Sequence, residues 1–322
     1  MRSEVAAPEA APEPTAERRA RGNRESGAWY PRWYWPSFAT PAILWLALLF
    51  VLPFYVVLAI AFGTVDIFQN PLPVYQPWYW SFATFNQTLT RFVGTNPFYK
   101  PALIRTLVYV PAASLSCLVL GYVVAYFVAR HGGRLKGLYL VLLISPFFIS
   151  YLMRIYAWQS LLLTDGVINR FLIKLHLTSA PVNWLSGRPV TVVLGLVYGY
   201  IPYMILPLYG QLDRIDQSLL ESGRDLGASP ARTFLRVTLP LSRQAILAGL
   251  VIVSLPMFGD YFTNNLIGGV KTSMYGNLID NAVASPGGGP QAGSLVLILV
   301  VLLLIPLAYY LRSTKRATEA GL

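Results

Sequence analysis

A chain of 322 residues of which 55% are hydrophobic and only 12% charged is too apolar for a soluble domain unless much of its surface meets lipid. Its formal net charge of +11 would suit nucleic acid in a soluble protein, but the basic residues flank apolar runs. They read as markers of membrane topology, so nucleic acid is excluded as the expected partner. The lone cysteine, Cys117, lies inside an apolar run, which leaves no disulfide framework or thiolate metal site within the chain.

Residues 1–38 begin with an Ala/Pro/Glu stretch, continue through Arg18, Arg19, Arg21 and Arg24, and end in Trp29, Tyr30, Trp33, Tyr34 and Trp35. This predicts a disordered basic tail ending in an aromatic belt at the membrane interface. The apolar run that follows, about 39–63, is long enough to span and no small-residue cleavage pattern clearly ends it, so it reads as an uncleaved first span rather than a signal peptide. A hydrocarbon core about 30 Å thick needs roughly 20 apolar residues of helix. That length recurs at about 104–129, 137–160, 190–210, 244–268 and 292–311. The expected fold is all-α: a polytopic membrane protein with six transmembrane helices. The first helix and an outer loop occupy 39–103, a core of five helices 104–312, and a cytoplasmic tail 313–322. Pro53, Pro111, Pro146, Pro202, Pro207, Pro256 and Pro306 fall inside the apolar runs and predict kinks.

Six spans place both termini on one side of the bilayer. The tail, the 130–136 loop, the 211–243 loop and the C-terminus hold 17 of the 25 Lys and Arg, so the positive-inside rule makes that side cytoplasmic. The outer loops, about 64–103 and 161–189, are rich in Trp, Tyr, Asn and Pro. Composition alone leaves open whether they dock a partner or form an ordered lid.

The segment between the fourth and fifth spans is too polar to cross the membrane yet carries strong helix signals. Asp213 and Asp216 suit the start of one helix, Gly227 a left-handed stop, and Ser229-Pro230 the N-cap and first position of a second. Its mixed charges (Asp213, Arg214, Asp216, Glu221, Arg224, Asp225, Arg232, Arg236) favour docking to a protein over lying on anionic lipid. Glu221-Ser222-Gly223, Gly227, Val237 and Leu239-Pro240 stand at the spacing of the Glu-Ala-Ala coupling motif, and here the chain resembles the type I ATP-binding-cassette importer permeases. The two alanines are replaced by other small residues. The stretches Ser145–Trp158, Gly166–Asn169, Phe258–Phe262, Gly268-Gly269 and Gly276–Ile279 resemble the spermidine/putrescine branch of that family.

The resemblance implies a permease subunit that alternates its access as partner ATPases close on the loop, with Glu221 and the Gly227 turn making the contact. It also implies two ATPase subunits carrying ATP and Mg, a second homologous permease subunit, an extracytoplasmic substrate-binding protein, and a bacterial inner (plasma) membrane location. No cofactor is expected on this chain and it is not expected to be an enzyme: it has no Walker phosphate loop and no nucleophile–base cluster. His131 and His176 stand without metal-ligand spacing. Permeases for opines, ferric iron or other small solutes share much of the architecture and stay open as alternatives, as does, less favoured, a secondary transporter driven by an ion gradient.

Ionisable side chains inside a span cost about 2.5–3.5 kcal/mol each at mid-membrane and point to function. Arg154 and Asp260 are the two clear cases, each 16 or 17 residues into an outward-running span. Either Asp260, with Tyr261, Trp158 and Tyr156, offers a carboxylate and aromatic faces to an ammonium group in the translocation pathway, or Arg154 and Asp260 form an ion pair that fixes the bundle.

Overall fold

The computed structural model describes residues 34–94 and 98–319, with side chains for 37–94 and 98–315. The expected basic tail and most of its aromatic belt lie outside the described residues. The described residues fall into two units that divide between Tyr55 and Val56.

Apolar residues with no charge favour one long helix, α1, Ser37–Ala61. It carries a π turn at Ala47–Val51 just before Pro53, whose missing N–H disturbs the hydrogen-bond ladder. Its side chains up to Phe54 are exposed, as expected of a helix that meets lipid or another subunit.

In the second unit, the short strands β1 (Thr64–Val65) and β2 (Pro71–Leu72) pair antiparallel, with Thr64 opposite Leu72. The helix α2 (Ala83–Val93) follows. Next come α3 (Lys100–His131), α4 (Lys136–Ile144), α5 (Tyr151–Leu161), α6 (Val167–Lys174) and α7 (Pro189–Leu212). After them lie α8 (Gln217–Asp225), α9 (Pro230–Thr233), α10 (Arg243–Phe258), α11 (Phe262–Ile267), α12 (Tyr275–Ala284) and α13 (Gly289–Glu319). The core lies where α3, α7 and α10 meet: Val110, Ala113, Cys117 and Ala125 of α3 pack with Val192, Leu196, Met204 and Leu208 of α7 and Val253 and Met257 of α10. Lipid provides no hydrophobic drive between helices, so such packing depends on small residues that let backbones approach. Ala113, Ala125 and Gly121 do this along α3, Gly121 lying directly against Met204 and Ile205.

Among the described residues four unbroken helices are long and apolar enough to cross a membrane, Ser37–Ala61, Lys100–His131, Pro189–Leu212 and Gly289–Lys315. Six spans result when the two bent pairs, Gly133–Phe148 with Tyr151–Leu161 and Pro230–Leu241 with Arg243–Phe258, each count as one. Two expected spans therefore need correction. The third turns by 89° instead of running straight from 137 to 160. Pro146 opens a 3-10 turn at Ser145–Phe148, and Ile149 and Ser150 then take extended backbone with ψ of 133° and 140°. The fifth, expected over 244–268, is one helix only to Phe258. Pro256 has no N–H to give, Gly259 and Asp260 bond to the carbonyls of Pro256 and Met257 in a tightened last turn, and the helix restarts as α11. Asp260 thus stands in a helix break rather than within a helix. The last helix, in contrast, runs beyond its expected end near 311 to Glu319.

The loop 161–189 is ordered around one buried side chain. Asn169 donates to the carbonyls of Leu163, Thr164 and Val182 and accepts from the Val182 amide and the Trp184 indole. All its polar capacity is used within the loop.

Candidate functional site

Two features can do work: the polar loop between α7 and α10, and the joint where the two broken spans meet.

In the loop, Asp216 caps α8 by accepting from the Ser218 amide at 3.0 Å, and that bond holds its carboxyl below the usual carboxylate range. Asp213, the other expected starter, instead receives Lys136 Nζ at 2.5 Å. With both side chains about one-third exposed (34% and 36%), such a pair contributes only about 0–1 kcal/mol. Gly227 has φ of +80°, the left-handed stop read from the sequence, and Ala228 N closes the turn on Gly223 O at 3.0 Å. Ser229 then accepts from Arg232 N, and Pro230 opens α9. The second helix continues through a π turn at Phe234–Thr238, which contains Val237, and on through Leu239–Leu241, which contains Pro240.

The loop is tied to the bundle on one face and open on the other. Phe234 meets the rings of Tyr122 and Tyr126 edge-on at 5.5 and 5.8 Å, and Tyr122 shares a hydrogen bond with Ser242 at 2.9 Å. Arg130 of α3 donates to the Ile215 carbonyl. Gly223 packs on Thr233 with room for a methyl group, since a Cβ there would sit 3.5 Å from the Thr233 side chain, an ordinary contact. On the open face Glu221 and Ser222 are exposed beside Leu219, Leu235 and Leu226, the last 88% exposed at the tip. Exposed leucines ringed by charges suit a protein partner.

At the joint, Asp260 is buried and three donors converge on its carboxylate. Tyr151 Oη donates to Oδ2 at 2.7 Å, Tyr200 Oη donates to Oδ2 at 3.0 Å, and Thr263 N donates to Oδ1 at 2.9 Å. The Tyr151 proton is committed to Asp260, so Thr263 Oγ1 donates to Tyr151 Oη at 2.5 Å. Asp260 therefore ties α5, α7 and the start of α11 at one point. The groove that admits them is cut by Gly195 and Gly199, four apart on one face of α7: a Cβ at Gly199 would lie 2.5 Å from the Tyr151 ring, and one at Gly195 2.4 Å from Ile267. From the other side, the first turn of α12 abuts the break, where a Cβ at Gly276 would lie 2.6 Å from both the Gly259 and Asp260 carbonyls.

Arg154 and Asp260 make no ion pair: among the described residues the salt bridge found is Lys136–Asp213. The Arg154 guanidinium lies over the rings of Phe147 at 4.8 Å and Tyr151 at 5.5 Å, with Nε enclosed and without an acceptor. Of the aromatic residues expected near Asp260, Trp158 packs edge-on against Tyr198 at 5.3 Å, Tyr261 stacks on Phe262 at 4.0 Å, and Tyr156 is exposed. None of them donates to the carboxylate. Tyr151, Tyr200 and Thr263 do, and only Tyr151 carried a sequence signal, three residues before Arg154 and so on the same helical face.

Broken spans that meet at a buried carboxylate, with a polar loop presented between the fourth and fifth spans, describe a multi-pass membrane protein. The chain belongs to the family described as binding-protein-dependent transport system inner membrane component, whose model matches residues 117–314. It is therefore an inner-membrane permease of the ATP-binding-cassette importer class. It is 36% identical over 220 residues to the spermidine/putrescine transport system permease protein PotB of Escherichia coli (strain K12), covering 68% of this chain and 80% of that protein. To PotB of Haemophilus influenzae it is 32% identical over 272 residues, covering 84% and 91%. Among solved structures it shares its fold with a chain of the bacterial alginate ABC transporter crystallised with alginate pentasaccharide-bound periplasmic protein, at a TM-score of 0.69 and 17% identity, covering 89% of this chain and 96% of that one.

Proposed function

We propose that this chain is one of two permease subunits of an importer that carries a polyamine of the spermidine/putrescine kind inward across the bacterial inner membrane, with both termini cytoplasmic. The substrate rests on the identity to the PotB proteins. The coupling mechanism rests on one observation: a helix–glycine–helix loop whose exposed face carries Glu221 and Leu226 and whose other face is locked to the bundle.

Two partner ATPases hold ATP and Mg and bind this loop, on this chain and on a second homologous permease. Glu221, Ser222, Gly223 and the Gly227 turn form the contact. Val237 and Leu239-Pro240 carry it toward the membrane. When the ATPases close, α8 and α9 move as one body. Phe234 transmits the push to α3 through Tyr122 and Tyr126, and the Ser242 bend transmits it to α10. The 16 residues of α10 carry the displacement about 24 Å to the Asp260 joint. Two spans already broken at that depth pivot there at little cost, because non-helical backbone at membrane depth lines a cavity or lies buried in protein. Arg154, Tyr156, Trp158 and Tyr261 lie along this half of the pathway, which the second permease completes, and an extracytoplasmic binding protein delivers the substrate.

The test is the ATPase activity of the complex co-purified with this chain in lipid, with spermidine or putrescine offered through the cognate binding protein. Stimulation that vanishes in Glu221→Ala while the ATPases stay bound supports the reading. An ATPase that co-purifies but ignores polyamines refutes the substrate, and transport with no ATPase bound refutes the importer.

A further inference from the structure

Asp260, the carboxylate singled out by its position in a span, already accepts three hydrogen bonds, from Tyr151, Tyr200 and the Thr263 amide, and is only 6% exposed. It is built to hold the joint, not to greet a cation. A second carboxylate nearby is built the other way. Asp280 of α12 is half-buried, and among the described residues its carboxylate accepts one side-chain hydrogen bond, from Asn265 Nδ2 to Oδ2 at 3.0 Å.

The direction of that bond is dictated by a relay that starts at the backbone. The Met274 amide donates to Asn277 Oδ1 at 2.8 Å, which leaves Asn277 Nδ2 to donate to the Tyr261 carbonyl at 3.1 Å and to Asn265 Oδ1 at 2.7 Å. The carbonyl oxygen of Asn265 is thereby taken, and its amide nitrogen must face Asp280. Asn277 is buried, so the relay is held rigidly at one end and opens at the other. Asn265 and Asn281 are exposed and Tyr261 half-buried beside it. No basic side chain pairs with Asp280 among the described residues.

This polar, open face lies on the part of the chain that dips into the bundle. The Tyr275 amide bonds to Thr106, six residues into α3, and the Tyr275 hydroxyl bonds to the Leu295 carbonyl, six residues into α13. From that depth, about 9 Å below the helix ends, α12 climbs past Asp280 to the loop at Ser285. A carboxylate left short of donors at the rim of a bundle does not face hydrocarbon. It faces water or protein.

We infer that Asp280, oriented by Asn265 and Asn277, is the carboxylate that receives an ammonium group of the substrate at the mouth of the pathway, with Asp260 as the positioning residue behind it. This rests on the polyamine reading above. The test is ATP-driven uptake of labelled spermidine and putrescine by the complete complex in proteoliposomes with saturating loaded binding protein. Loss of one contact to a charged group predicts about a tenfold fall for Asp280→Asn, larger for the more highly charged spermidine. Asp280→Glu restores most of the rate, and the thermal unfolding of the complex is unchanged in both variants. If the wild type carries neither polyamine, the function reading fails. If the wild type carries both and Asp280→Asn matches it, or if uptake falls only together with thermal stability and Glu does not rescue it, this inference is overturned.

Discussion

Replacing Tyr200 by Phe removes a single hydroxyl, which donates to Asp260 Oδ2 at 3.0 Å. Hydrogen bonds to charged groups contribute about 1.5–3 kcal/mol net. Because Tyr151 and the Thr263 amide still serve the carboxylate, the loss falls at the lower end, about 1.5–2 kcal/mol. Tyr151→Phe is expected to cost more, about 3 kcal/mol or above, since it also strips the acceptor from the buried Thr263 hydroxyl and leaves that group unpaired. The double variant is expected to differ from the sum, because both phenols share one oxygen. Denaturant titration of the purified protein in mixed micelles measures the order wild type, Tyr200→Phe, Tyr151→Phe. If both single variants unfold within about 0.5 kcal/mol of wild type, Asp260 is not the knot described.

The coupling loop yields three further tests. Gly223→Ala is expected to stabilise α8 by about 0.5–1 kcal/mol, because the position is interior to the helix and a Cβ meets only ordinary contacts within the chain; amide exchange across 217–225 reads it. Gly227→Ala meets no atom within 4 Å but must hold φ of +80°, so the turn is expected to lose about 1–2 kcal/mol and exchange across 217–233 to accelerate. Asp216 has a lowered pKa because its ionised form accepts the Ser218 amide. Its stabilisation of α8 is therefore complete above the ordinary carboxylate range, near pH 4, and is lost as pH falls through the depressed value. Exchange at Ser218, corrected for intrinsic rate, is expected to show that loss on acidification and to show none in Asp216→Asn.

What could be read in the sequence was what depends on length or on a local backbone demand. Apolar runs of spanning length located the six crossings, and Gly227 and Ser229-Pro230 located the turn and cap because only a few residue types satisfy those conformations. The breaks were not legible. Pro146 and Pro256 each stand three residues before one, yet Pro111, Pro202 and Pro306 lie inside helices that continue. The difference lies in what surrounds the freed carbonyls, which is tertiary. For the same reason Asp260 was visible by its cost while its partners were not, since Tyr151, Tyr200 and the Gly195–Gly199 groove come from two other helices. Asp280 is not legible because it stands between the apolar runs, in a helix too short to span, and its relay of asparagines joins residues 12 to 16 apart.

ATP-driven uptake of labelled spermidine into proteoliposomes, with the chain reconstituted beside its second permease, ATPases and binding protein and with ionophores present to abolish every ion gradient, puts the whole reading at risk in one experiment. Uptake that requires ATP and the binding protein and survives the ionophores is the expected result. Uptake that needs no ATP and collapses with the gradient would contradict an importer driven through the 211–243 loop.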